Sequence, residues 1–208
     1  MPPPDFDLYL VTDRSQSRGR DLLWVLEQAL DGGVKAIQLR EKDLGGKELF
    51  DLAEKTRELC IRYDARLLIN DRIDVALGVD ADGVQVGNAS IPIDTARRLL
   101  GPRKLLGAST HSLAEAQQAE QNGADFILFG PVYFTPSKAV YGEPQGVTAL
   151  KKIVEKIPSP VYAIGGIKPE NINDVRATGI RGVALISAIT NAENPKEATE
   201  RILRHLRG

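Results

Sequence analysis

Short apolar runs alternate with longer amphipathic stretches along this chain. The runs fall at residues 8–11, 36–39, 66–69, 83–86, 105–108, 126–129, 161–164 and 182–186. They are rich in β-branched residues and do not alternate cleanly between apolar and polar positions. That is the pattern of strands buried on both faces, as in a parallel sheet covered by helices.

The intervening stretches carry helix punctuation. Residues 20–31 stop at Gly32-Gly33, and 112–122 open on a Ser-x-x-Glu capping box, Ser112 to Glu115, and stop at Gly123. Over 46–63, Leu49, Leu52 and Ala53 share a face that Leu59 and Cys60 continue. Further helices are expected over 73–78, over 91–100 before Gly101-Pro102, and over 146–157 before Pro158. Two more are expected over 169–178, with proline in the first turn and Gly179 after it, and over 194–206. Strands alternating with helices give either an open doubly wound sheet or a closed barrel. A count of eight favours the barrel. The expected fold is α/β, a single-domain (β/α)8 TIM barrel of eight parallel strands spanning 1–208. One long stretch without periodicity, 130–146, reads as a functional loop.

Composition removes several function classes. Formal net charge is −1, so no large field recruits nucleic acid or an anionic membrane. A polyanionic ligand must be held by a few placed groups. Cys60 is the only cysteine, which excludes an internal disulfide and a cysteine metal cluster. Lying within Arg57-Glu58-Leu59-Cys60-Ile61, it reads as a buried structural thiol. No apolar stretch approaches the ~20 residues of a membrane span. The first residues lack the pattern of a signal peptide, and a cytoplasmic setting is expected. Self-association into a homo-oligomer stays open.

In a barrel of this kind the chemistry sits where strands end and the following loops begin. After the second run stand Gln38, Arg40 and Lys42, with Gln38 and Arg40 on the lumen side of a two-residue alternation. Arg40 and Lys42 offer donors to phosphate oxygens. After the third run, Asn70-Asp71 is either a ligand pair, with Asp71 suited to a hard cation, or a helix cap before 73–78. After the fifth stand Ser109, a hydrogen-bonding candidate, and His111, which reads as a packing or capping residue. After the sixth, Thr135-Pro136-Ser137-Lys138 makes a candidate anion clamp inside the long loop. After the seventh, Gly165-Gly166 allows close backbone approach, and after the eighth Ile186-Ser187 opens a short helix. The seventh and eighth loops with an extra helix form the usual phosphate site of such barrels.

Taken together, these strand ends resemble the thiamine phosphate synthase family. The likeness runs through Gln38-Leu39-Arg40-Glu41-Lys42, Asn70-Asp71-Arg72, Asp82-Gly83-Val84, Gly107-Ala108-Ser109 and Gly130-Pro131-Val132. It continues through Thr135-Pro136-Ser137-Lys138, Ala163-Ile164-Gly165-Gly166-Ile167 and Ile186-Ser187-Ala188-Ile189. The resemblance implies a transferase that joins hydroxymethylpyrimidine diphosphate to hydroxyethylthiazole phosphate, giving thiamine phosphate and pyrophosphate. By matching position, Gln38, Leu39, Arg40, Glu41, Lys42, Asn70, Ser109 and Lys138 would hold the pyrimidine diphosphate. Thr135, Pro136, Ser137, Gly166, Ile186 and Ser187 would hold the thiazole phosphate. Asp71 would hold Mg2+, and Arg40, Lys42 and Lys138 would neutralise the departing charge. Small phosphorylated molecules are the implied partners.

One segment departs from the pattern, and its last position bears on the metal. Where the family reads His-Leu-Gly-Gln-x-Asp with a second metal-binding aspartate, this chain reads Gln85-Val86-Gly87-Asn88-Ala89-Ser90. A hydroxyl brings no charge and is a weaker Mg2+ ligand. Two alternatives follow: a metal-free enzyme resembling the related thiazole tautomerase, or a non-catalytic thiamine phosphate binder. The tautomerase has a histidine where this chain has Pro131.

Overall fold

A computed structural model describes residues 4–135 and 143–208. Eight strands close a parallel barrel in sequence order: β1 (Leu8–Val11), β2 (Ala36–Leu39), β3 (Arg66–Asn70), β4 (Gly83–Val86), β5 (Leu105–Thr110), β6 (Phe126–Phe129), β7 (Val161–Ile164) and β8 (Gly182–Leu185). The expected (β/α)8 barrel is therefore the fold. β3 and β5 run further than their apolar runs, so Asn70 and Ser109 are strand residues rather than loop residues. Ladder hydrogen bonding continues past the last apolar residue because the neighbouring strands extend alongside.

The helices are α1 (Leu22–Asp31), α2 (Gly46–Arg62), α3 (Ile73–Gly78), α4 (Ile93–Leu100), α5 (Leu113–Gln121), α6 (Gly146–Lys156), α7 (Ile172–Arg176), α8 (Ser187–Thr190) and α9 (Pro195–Arg207). α7 is shorter than the expected 169–178. Asn171 accepts from Lys168 N at 2.8 Å and donates to Gly166 O at 3.0 Å, holding the preceding residues in a turn. The Ser112 hydroxyl caps Glu115 N at 3.2 Å as expected, but the Glu115 carboxylate accepts from His111 N at 2.7 Å, one residue earlier than a capping box. Among the described residues no helix is long and apolar enough to cross a membrane.

Side-chain alternation divides the core into two shells. Leu8, Leu10, Ile37 and Leu39 point outward into a layer shared with the helices. Tyr9, Val11, Ala36, Leu68, Leu105, Phe126, Leu128, Tyr162 and Ala184 point inward, joined by Phe6. Phe6, Tyr9, Phe126 and Tyr162 form a plug, with Tyr9 edge-on to Phe126 at 5.9 Å and Tyr162 edge-on to it at 5.5 Å. Tyr162 donates to Phe6 O at 2.8 Å. Burial raises the pKa of both tyrosines, which stay neutral donors. These aromatics belong to the starts of their strands, so they floor the barrel and leave the strand ends for polar groups.

The opposite face is built for stability. Asp82 Oδ2 accepts from Arg57 at 2.7 Å and from Leu67 N at 2.8 Å, while Asp125 Oδ2 accepts from Arg97 at 2.5 Å and Leu106 N at 2.7 Å. Each carboxylate joins the entry of one strand to the backbone of the strand before it.

Candidate active site

The mouth begins where β1 and β2 end. Gln38 is buried and donates from Nε2 to the Tyr9 hydroxyl at 3.2 Å. Two residues on, the same alternation brings Arg40 to the rim, half-buried, with its main-chain N–H donating to Thr12 Oγ1 at 2.9 Å. Leu39 lies between them and turns the other way, into the outer core, so only its backbone borders the mouth. Lys42 is exposed.

Glu41 does something that its place in the charged run does not suggest. It is buried and its Oε2 accepts from Arg14 N at 3.1 Å. Burial pushes its carboxyl above the usual range; bonds from Thr12 and Arg14 N offset this in part, and Asp13 adds repulsion. Its other oxygen has no partner among the described residues. Glu41 therefore latches the loop after β1 rather than facing the lumen. In that loop, burial would raise the Asp13 pKa, but bonds from Ser15 and Gln16, with the field of Arg40, bring it below its ordinary value. Arg20 secures the loop further. It donates to Ser17 O at 2.9 Å, to Thr190 O and Ala192 O at 2.8 Å, and to Glu193 O at 3.1 Å, tying the β1 end to the end of α8. Thr12, Arg14 and Arg20 are roles that the strand-end reading passed over, although polar residues directly after the first apolar run were a signal for them.

Across β3 and β4 the structure gathers Asn70, Asp71 and Ser90. Asp71 adopts the left-handed region at φ +61° and donates its N–H to Gln85 O at 3.0 Å. Its Oδ2 accepts from Asn70 Nδ2 at 2.7 Å and its Oδ1 from the Ser90 hydroxyl. Ser90 Oγ in turn accepts from Gly87 N at 2.7 Å. α3 begins after Arg72 with no side-chain cap, so the capping alternative for Asn70-Asp71 does not hold. Among the described residues no three His, Cys, Asp or Glu side chains group as a metal cage. One carboxylate, a hydroxyl and an amide oxygen are hard donors nonetheless. They fit Mg2+ of the kind that keeps its waters and draws most ligands from substrate phosphates.

Next along the rim, Ser109 on β5 accepts from Gln85 Nε2 at 3.0 Å. His111 contacts Gly130 O through Nδ1 at 2.5 Å, which joins the ends of β5 and β6 and matches the packing role expected of it.

The loops after β6 and β7 interlock. Val132 N donates to Ile164 O at 2.9 Å, and Tyr133 N to Gly165 O at 3.0 Å. The returning chain closes on the same segment, Gln145 N to Pro131 O at 2.8 Å and Gly146 N to Val132 O at 3.0 Å. Gly166, at φ +64°, is required here: a Cβ would stand 2.7 Å from Phe134 O and from Tyr133 Cβ. Thr135 lies on this loop, whereas Pro136, Ser137 and Lys138 lie outside the described residues. Ile186 caps α8, and Ser187 opens it, exposed on the rim.

A closed barrel with an aromatic floor and a ring of amides, hydroxyls, cations and carboxylates at its strand ends defines a (β/α)8-barrel enzyme. The family model for thiamine monophosphate synthase matches residues 8–189, and the chain belongs to that family. A protein of Geobacter sulfurreducens is 53% identical over 98% of this chain and 95% of its own. The thiamine-phosphate synthase of Clostridium novyi is 43% identical over 94% of this chain and 96% of its own. The solved thiamine phosphate pyrophosphorylase of Pyrococcus furiosus superimposes with a TM-score of 0.90 at 40% identity, covering 98% of this chain and 96% of that one.

Proposed function

We infer that this chain is a thiamine-phosphate synthase, joining hydroxymethylpyrimidine diphosphate to hydroxyethylthiazole phosphate with release of pyrophosphate. The observation that carries the reading is the Asn70–Asp71–Ser90 group, an oxygen-rich cluster beside the β2 end that bears Arg40 and Lys42.

In the reaction, the bond between the pyrimidine methylene carbon and the diphosphate oxygen breaks, and its electron pair leaves with pyrophosphate. The thiazole nitrogen then gives its lone pair to that carbon. Arg40, Lys42 and Lys138 neutralise the charge that builds on the leaving group. Mg2+, when bound, adds positive charge there, and Asp71 is the residue assigned to hold it, with Ser90 alongside. Gln38, Asn70 and Ser109 orient the pyrimidine diphosphate. Gly166, Ile186 and Ser187 receive the thiazole phosphate through backbone groups, with Thr135 on the loop above, and Ser137 is assigned to the same ligand. Positioning two substrates for one displacement needs no covalent enzyme intermediate. The reading also carries a cytoplasmic setting and small phosphorylated partners.

No observation favours a tautomerase. At its histidine position this chain has Pro131, which is buried and offers only a carbonyl, already accepting from Gln145 N. The test is pyrophosphate release by purified protein across a Mg2+ titration. Release that needs both substrates supports the synthase; none at saturating Mg2+ overturns it.

A further inference from the structure

One buried polar side chain at the mouth has no part in the reaction as described. Gln85 is 1% exposed and sits between Asn70 and Gly107, its register partners on the neighbouring strands. Its Nε2 donates to Ser109 Oγ at 3.0 Å, while its Oε1 has no partner among the described residues. The orientation of the amide has a physical reason. A Cβ on Gly107 would stand 2.2 Å from Gln85 Oε1 and 2.3 Å from Phe126 Cζ, so oxygen and ring edge crowd the same point. A phenyl edge is the positive part of the ring and favours oxygen over an amino group. The missing side chain of Gly107 leaves room for both.

This arrangement sets the polarity of Ser109. A serine hydroxyl has one proton to give and two lone pairs to receive. Gln85 occupies a lone pair, and among the described residues nothing accepts the proton. Ser109 is thereby presented to the mouth as a donor.

We propose that Gln85 is a positioning residue for the pyrimidine diphosphate: by donating to Ser109 Oγ it directs the Ser109 proton toward acceptor atoms of that ligand. The proposal rests on the reading of Ser109 as a contact of the diphosphate substrate. Gln85 itself acts only through Ser109.

The test is a double-mutant cycle read by calorimetric binding of hydroxymethylpyrimidine diphosphate to the purified chain. Gln85→Met in the parent should weaken binding about tenfold, the scale of one hydrogen bond to a charged group. The same change in a Ser109→Ala background should cost nothing further. Gln85→His, which keeps an N–H donor, should recover most of the loss. In turnover, KM for the pyrimidine diphosphate should rise while KM for the thiazole phosphate holds. Equal losses in both backgrounds overturn the proposal and leave Ser109 as a ligand contact. Unchanged affinity in Ser109→Ala overturns both. Should Gln85→Met not fold, Gln85→Asn, whose shorter amide does not reach Ser109, runs the same cycle.

Discussion

The Ser90 hydroxyl donates to the Asp71 carboxylate across 19 residues of sequence, joining the loop after β4 to the end of β3. A neutral donor therefore stands beside the carboxylate that would meet the cation. Replacing Ser90 by aspartate places a second anionic oxygen there, and cation affinity rises with the number of charged ligands. The Ser90→Asp protein should need about tenfold less Mg2+ for half-maximal pyrophosphate release. It should also bind Mn2+ more tightly in the absence of substrates. An unchanged metal dependence by both measures would show that Ser90 does not border the cation.

Glu41 makes stability depend on pH. Its folded-state carboxyl titrates above the ordinary value of 4.5, first because of burial. Between the unfolded and folded titration points the native state holds the extra proton. The contribution to stability is therefore greatest below the unfolded value and is lost as pH rises through the folded one. Glu41→Gln removes that loss and keeps an oxygen for Arg14 N. Thermal unfolding of variant and parent should shift in favour of the variant from about pH 4 to about pH 8. A constant difference over that span would mean that Glu41 titrates normally.

Arg20 spends its guanidinium on main-chain carbonyls at both ends of a 170-residue separation. Arg20→Ala should lower unfolding free energy by about 2 kcal/mol, from several lost hydrogen bonds to a charged donor. Because those bonds hold the end of α8, KM for the thiazole phosphate should rise and KM for the pyrimidine diphosphate should not. A loss of stability without that asymmetry would limit Arg20 to a general structural role.

Burial pushes the Cys60 thiol up to about 12, with Asp82 adding to the shift. The thiolate is the reactive form. An Ellman titration should find no reactive thiol in the native chain and one in denaturant. Rapid native labelling would place Cys60 on the surface.

The linear reading located strands within one or two residues because doubly buried strands leave mostly apolar runs. It missed the full reach of β5, where Ser109 and Thr110 are polar yet paired with Leu128 and Phe129. It grouped Glu41 and Leu39 with the pyrimidine diphosphate contacts by their position in the family motif. The structure turns Leu39 to the outer core and Glu41 to the loop after β1. Gln85 went unassigned, although an amide within an otherwise apolar strand was a sign of an interior polar contact.

Local pattern determined the order and number of strands and helices and the strand ends that carry chemistry. Periodicity and turn residues act over a few positions, so a sequence displays them directly. Only the tertiary structure decided which side chains meet: Ser90 with Asp71, Gln85 with Ser109, Arg20 with the carbonyls after α8. Those pairings depend on the register of neighbouring strands and on the first strand meeting the last. Barrel closure brings such residues together, and no spacing along the chain encodes it.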